Sequence, residues 1–455
     1  VVQVLIADLW EGRAEEVRNA LLEIEGLQEN KFDRSIAGEY YIWEAAVETN
    51  MIPVIANQAE VFHIEPIGKA RLCGERANVI NVGEFDESGE HPKPAYSYER
   101  WLADKKVNGA GVVVQCVDTG LDRGNATNLP GTVHTDILGR VAGVADYSGD
   151  KDGVDKNGHG TLNAGIISAN PFTRLTDPDG YLASMGVSPK TKIFATKVSN
   201  GTNFRFTESH QTMTQEARSY GATISLQPWG RATREFDPNT GEHSDPPAYS
   251  STAAEFDSLT RIANGDNFNP LPMLFVFAAG NEGWFCDMFG CFLVEKSITN
   301  PGFAKNVISV GAFTGSPPEG GNRRDPVINT SRGYTQDGRY APTIVAPGVG
   351  VTGMASQSEA FQNGNPVFYP DGQTLYTRGN GSSHAAAQVA GAAALFTDWW
   401  QRFNNYASKP SPAMIKAALI ASTEDEQGGT FPVYIPDGLL GEGAPEYEEV
   451  DFAPD

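Results

Sequence analysis

The sequence predicts an α/β protein built on a doubly wound parallel sheet, preceded by a small α+β unit. From Gly111 to Ala346, apolar β-branched runs alternate with helical stretches, the pattern of strands covered by helices on both faces. Residues 2–66 carry a shorter alternation of their own, set apart by a polar passage. The 455 residues leave room for two or three domains of about 100–200 residues each.

Residues 2–9 (VQVLIADL) read as a strand. Gly12 punctuates it before a segment in which Val17, Ala20, Leu21 and Ile24 recur at helical spacing, ending at Gly26. Tyr40–Val47 reads as an aromatic strand, Met51–Ala56 as a short helix and Val61–Pro66 as a closing strand. These define a first domain over 1–67. Residues 68–107 contain GEFDESGEHPKPAYSYER and read as a linker and surface passage. In the main domain expected over 108–428, strands are expected at Gly111–Val117, Lys192–Val198, Ala222–Leu226, Met273–Ala279, Val307–Val310 and Thr343–Ala346. Helices are expected at His159–Ser168, Thr207–Tyr220 and Thr252–Ala263. Ala385–Phe396 is rich in small residues and reads as a buried helix; Ser411 and Pro412 supply an N-cap and first-turn proline for a helix over Pro412–Ser422. Residues 429–455 form an acidic tail rich in Gly and Pro.

Lys and Arg number 34 against 57 Asp and Glu, a formal charge of −23. That balance disfavours nucleic acid and anionic membrane surfaces as partners, and no apolar run approaches the ~18 residues of a membrane span. The four cysteines, at 73, 116, 286 and 291, show no spacing that suits zinc. Cys116 reads as a buried thiol, whereas Cys286 and Cys291 flank a short aromatic loop that a disulfide would close if the geometry allows. The chain begins at Val1 without a methionine, so an N-terminal segment is expected to have been removed or left out.

Three distant stretches carry reactive side chains: VVVQCVDTG with Asp118, NGHGT with His159, and GSSHAAAQVAGAAAL with Ser383. A serine hydroxyl is a poor nucleophile on its own. It needs a neighbouring base, and the base needs a third group to fix its tautomer. Asp118 alone fits a turn cap equally well. Its Asp-Thr-Gly also occurs in aspartic proteases, but those need two carboxylates sharing a proton and no second such motif is present. His159 is framed by glycines that permit close approach. Ser383 precedes a small-residue helix, where a helix N-terminus favours developing negative charge. In LFVFAAGNEG, an apolar strand ends at Asn281, whose amide can donate to an oxyanion.

These four motifs, in this order, resemble the subtilisin-like serine proteases, or subtilases (peptidase family S8), over about Gly109–Ser422. The resemblance implies a subtilisin-like fold and a secreted, extracellular serine endopeptidase acting on peptides or proteins. It implies a triad of Asp118, His159 and Ser383, with Asn281 and the Ser383 N–H as oxyanion donors. Gln227, Pro228, Trp229 and Gly230 resemble the family's substrate strand, and Ala278, Ala279 and Gly280 a pocket wall. Departures are Ser382 for threonine, His384 for methionine, Ala387 for proline, Leu162 and Asn163 for His-Val, and Pro228 for a small polar residue. Residues 1–67 resemble, more weakly, the family's propeptide, a small ferredoxin-like α+β domain that acts as intramolecular inhibitor and chaperone. Cleavage is then expected within Pro66–Val79. No cofactor is required. Calcium is the one structural ion the resemblance admits, and Asp146, Asp150, Asp152 and Asp155 crowd a loop that reads either as a calcium site or as a solvated acidic loop. The rival functions are a binding subunit with a plugged cleft and a peptide-maturing transpeptidase.

Overall fold

The computed structural model describes residues 2–7, 13–22, 28–34, 40–46, 51–58, 61–66, 75–85, 92–93, 97–199, 204–233, 236–237, 242–243, 249–266, 268–287, 290–315, 326–327 and 329–423. The tail 429–455 lies outside them.

The N-terminal unit runs β1 (Val2–Ala7), α1 (Arg13–Leu22), β2 (Gln28–Arg34), β3 (Tyr40–Ala46), α2 (Ile52–Ala56) and β4 (Val61–Pro66). Its four strands form an antiparallel sheet in the order β2-β3-β1-β4. Ile6, Val17, Leu21, Trp43 and Ile55 are buried, so apolar residues from two strands and both helices are withdrawn from solvent.

The expectation of a linker over 68–107 is corrected. Two helices form there, α3 (Glu75–Asn81) and α4 (Ser97–Lys105). Their polar side chains are spent on backbone groups of the main domain: a Glu75 carboxylate oxygen accepts from the Leu182 N–H at 3.0 Å, Asn78 donates to the Met185 carbonyl at 2.8 Å, and Tyr98 donates to the Val187 carbonyl at 2.6 Å. Buried polar groups must be paired, and here the pairing itself glues the passage down. Of the expected cleavage interval, residues 67–74 lie outside the described residues.

The main domain continues β5 (Val113–Asp118), β6 (Val141–Asp146), α5 (His159–Ser168), β7 (Lys192–Lys197), α6 (His210–Ser219), β8 (Ile224–Gln227), a small pair β9 (Phe236–Asp237) and β10 (Glu242–His243), α7 (Ser251–Leu259) and β11 (Leu274–Ala278). A hairpin of β12 (Trp284–Asp287) and β13 (Gly290–Leu293) follows, then β14 (Ile308–Phe313), β15 (Ile344–Pro347), β16 (Val351–Met354), α8 (Glu359–Gln362), β17 (Tyr376–Gly379), α9 (Ser382–Phe403) and α10 (Pro412–Ala421). Cys286 and Cys291 are facing partners in the hairpin; their side chains, like Cys73, lie outside the described residues. Cys116 is a buried free thiol.

Seven strands form one parallel sheet in the order β15-β14-β11-β8-β5-β7-β6. Successive side chains of a strand face opposite sides, and β11 shows the result. Leu274, Val276 and Ala278 join the core that holds α5 and α9, while Phe275, Phe277 and Ala279 join the aromatic core under α7. Both faces are covered, which is why the strands read as continuous apolar runs. Helix α9 lies against the first face through Ala385, Ala386, Ala387, Ala390, Ala393 and Ala394, all fully buried; methyl-sized side chains allow close approach of helix and sheet.

The chain leaves β5 for β6 and β7 on one side, then crosses back to β8 on the other. In open α/β sheets such a reversal opens a crevice beyond the carboxyl ends of the strands. Asp118 ends β5, Pro228 follows β8 and Ala278 ends β11.

Candidate active site

A cleft of about 290 Å³ lies at that crevice, lined among others by His159, Pro228, Trp229, Gly280, Asn281 and Ser383. Asp118 reaches it from below as the last residue of β5 and is 1% exposed. His159 is the first residue of α5. The helix starts there because Gly158 adopts φ 97°, in the left-handed region, and a Cβ at that position would lie 2.2 Å from the Phe361 ring. Ser383 enters on the first turn of α9, behind Gly381 at φ 133°.

Asp118 Oδ1 and His159 Nδ1 are 2.7 Å apart. The same oxygen accepts from the Thr119 N–H at 2.7 Å, and Oδ2 accepts from Asn163 Nδ2 at 2.9 Å. Burial would raise the Asp118 pKa, but the charge and hydrogen bond of His159, with the Asn163 and Thr119 donors, outweigh it and hold the carboxyl below 3.8. For His159, burial works against the imidazolium, yet the Asp118 carboxylate wins and keeps its pKa above 6.5. The ring is therefore a base oriented through Nδ1, with its other nitrogen available at the cleft.

Ser383 is buried to 9% exposure, and its Oγ donates to the Pro228 carbonyl at 2.9 Å. Its hydrogen bond in this state is to the segment that follows β8 and not to the imidazole. Asn281 stands on the rim: its Oδ1 accepts from the Ser382 N–H and hydroxyl, each at 3.1 Å. With the amide oxygen so engaged, its orientation is fixed and the NH₂ group is left as the outward donor.

The structure brings Asp118, His159, Ser383, Asn281, Pro228, Trp229, Gly230, Ala278 and Gly280 to one site. Gln227 and Ala279, also expected here, do not line the cleft. Ala279 alternates away from Ala278 and Gly280 into the aromatic core, fully buried. Gln227 is likewise turned inward, donating to Ser225 Oγ at 2.7 Å and accepting from Trp229 Nε1 at 2.9 Å. Thr119, Asn157, Ser199, Phe204, Glu282 and Thr299 line the cleft without having been expected there. Asn157 and Glu282 sit inside the quoted motifs; Phe204 and Thr299 have no local signal, since only the fold delivers them.

The acidic loop is organised around lysines. The buried Lys197 ammonium donates to Asp150 Oδ2 at 2.8 Å, Asp152 Oδ1 at 2.9 Å and the Val154 carbonyl at 2.9 Å. Asp155 is consumed by donors from Thr119, Gly158 and Thr161. Among the described residues, no group of three or more His, Cys, Asp or Glu is arranged to hold a metal ion. No helix among them is long and apolar enough to cross a membrane.

Residues 109–435 match the model of the subtilase family. The chain is 26% identical over 299 residues to Serine protease AprX of Bacillus subtilis (strain 168), which covers 64% of this chain and 57% of that protein. It is also 26% identical over 405 residues to Subtilisin-like serine protease Pen ch 13 of Penicillium rubens, covering 87% and 78%. Subtilisin DY of Bacillus licheniformis is 28% identical over 288 residues, covering 63% and 77%. The chain thus spans little more than half the length of AprX and over three quarters of the other two.

Proposed function

The chain belongs to the subtilase family of serine proteases, and from that premise we propose that it hydrolyses internal peptide bonds through an acyl-enzyme on Ser383. Ser383 Oγ attacks the scissile carbonyl while His159 takes its proton and later passes it to the leaving amine. Asp118 holds the imidazole in the required tautomer and stabilises the imidazolium. Asn281 Nδ2 and the Ser383 N–H hold the oxyanion. Substrate binding turns the Ser383 hydroxyl from the Pro228 carbonyl toward His159, a rotation about one side-chain bond; catalytic hydrogen bonds often tighten only in the complex.

The observation that carries this reading is the Asp118–His159 pair at 2.7 Å, opening on the cleft that Ser383 and Asn281 share. Trp229 and Phe204, with ring centroids 6.0 Å apart and planes tilted by 40°, give that cleft an aromatic wall suited to an apolar side chain. Residues 1–67 are proposed as the inhibitory and chaperoning propeptide. Their strand-helix-strand-strand-helix-strand order supports this, as does the Penicillium alignment, which is too long to fit between residue 109 and the C-terminus. Processing between 67 and 74 and work outside the cell complete the proposal; calcium is not needed for the chemistry.

Labelling with a fluorophosphonate, followed by N-terminal sequencing of the labelled species, tests both parts. The native chain should label at Ser383 and Ser383→Ala should neither label nor cleave, a loss on the order of 10⁶-fold in kcat by analogy with the same change in subtilisin. A native chain that never labels would instead fit a binding subunit. A single uncut chain with full activity would remove the processing step.

A further inference from the structure

We propose that Asn163 and His384 are positioning residues that act through Asp118, extending the proposed triad by two members and tying the helix of His159 to the helix of Ser383. This rests on the proteolytic reading above. The geometry is a continuous chain: His159 Nδ1 to Asp118 Oδ1 at 2.7 Å, Asp118 Oδ2 to Asn163 Nδ2 at 2.9 Å, and Asn163 Oδ1 to His384 Nδ1 at 2.8 Å. Asn163 lies one turn after His159 on α5, and His384 directly follows Ser383 on α9. Each is buried, at 0% and 3% exposure.

The polarity of the chain is fixed by elimination. An ionised carboxylate only accepts, so the Asn163 NH₂ must face Asp118 and its oxygen must face His384. His384 must then carry its proton on Nδ1. Burial, reinforced by the nearby His159 charge, pulls the His384 pKa down to about 3, so the ring stays neutral and keeps that donor. Gly379 leaves it room, since a Cβ there would come within 2.2 Å of His384 Nε2. The charged groups acting on His159 are Asp118 and Asp155, and those acting on His384 are His159 and Asp118.

Asn163 and His384 come from stretches 221 residues apart in sequence and meet in one hydrogen bond. A filler role would not require two buried polar side chains to be complementary, whereas a relay requires both. With Asn163 in place, Asp118 Oδ2 is satisfied inside the protein and the carboxylate cannot swing. With His384 in place, the amide cannot flip its oxygen toward Asp118, an arrangement that would set two acceptors face to face.

The test compares N163V, H384M, H384N and the double variant N163V/H384M in the processed enzyme, by kcat, KM, the pH profile of kcat/KM and thermal unfolding. An Asn at 384 can place its NH₂ where Nδ1 stood, so H384N should restore most of what H384M loses. N163V should lower kcat about tenfold or more, the effect of leaving a buried acceptor unpaired, with KM little changed. It should also move the acid limb of kcat/KM upward, because a less satisfied carboxylate holds the His159 imidazolium more tightly. The double variant should fall no further than N163V, since the two share one chain. Singles that leave kcat and the acid limb at wild type, or losses that multiply in the double, would overturn the relay. If N163V does not fold, the H384M and H384N pair decides alone. The low-field proton of the Asp118–His159 bond, read by NMR, should shift in these variants. It reports on the relay even if wild-type protein fails to label at Ser383, the outcome that would sink the proteolytic reading instead.

Discussion

Asp118 and Lys197 are register partners at the carboxyl ends of neighbouring strands, yet the two buried charges are treated in opposite ways. The Lys197 ammonium has three N–H donors, and each finds an acceptor in Asp150, Asp152 or Val154. The circuit is closed. The Asp118 carboxylate is equally well paired from behind, by Thr119 and Asn163, but its chain ends in an imidazole on the wall of a cleft. The contrast teaches that a closed set of charge partners holds a loop in shape, and that the same economy with one end left open at a cavity is equipped for proton transfer.

The contrast is broken most decisively at Asp118. D118N should lower kcat about 10⁴-fold, measured by single-turnover cleavage of a peptide; a loss under tenfold would put Asp118 on the same footing as Asp150. N281A comes next, with an expected loss of about 10²–10³ in kcat and little change in KM if its amide takes the proposed role of meeting only the developing oxyanion. A KM effect without a kcat effect would make Asn281 a binding residue. K197M should be the mildest for activity. It should leave kcat unchanged and lower the unfolding free energy by no more than about 3 kcal/mol, since Asp150 and Asp152 keep 26% and 33% exposure to water. Denaturant unfolding beside an activity assay reads both; activity falling more than stability would erase the distinction.

Much of this was legible before any coordinates. The span of α5 is the one read from the sequence, because His159–Ser168 is bounded by glycine before it and Asn-Pro after it. The core strands β5, β7, β11 and β14 were legible because both their faces are buried and their letters are apolar. Of the strands that escaped, two did so for the opposite reason. β2 (QENKFDR) is an edge strand with polar side chains, and β6 is an edge strand interrupted by Gly143, whose Cβ would run into the Phe194 ring at 2.8 Å. α3 escaped because its Glu, Arg and Asn look solvent-facing until their partners at 179, 182 and 185 are known. At the site, the motifs named the chemistry, but the meeting of Asn163 with His384 depends on a contact across 221 residues of chain.

Helix α9 carries Ser383, the proposed nucleophile, on a backbone drawn tight to the sheet by alanine methyls. To shift Ser383 by the width of an atom, the protein would have to loosen packing that most of its folded mass depends on. New substrate preferences in descendants of this chain should therefore be acquired at Phe204, Glu282 and Thr299, around the mouth, while the seat of the alcohol is inherited unchanged.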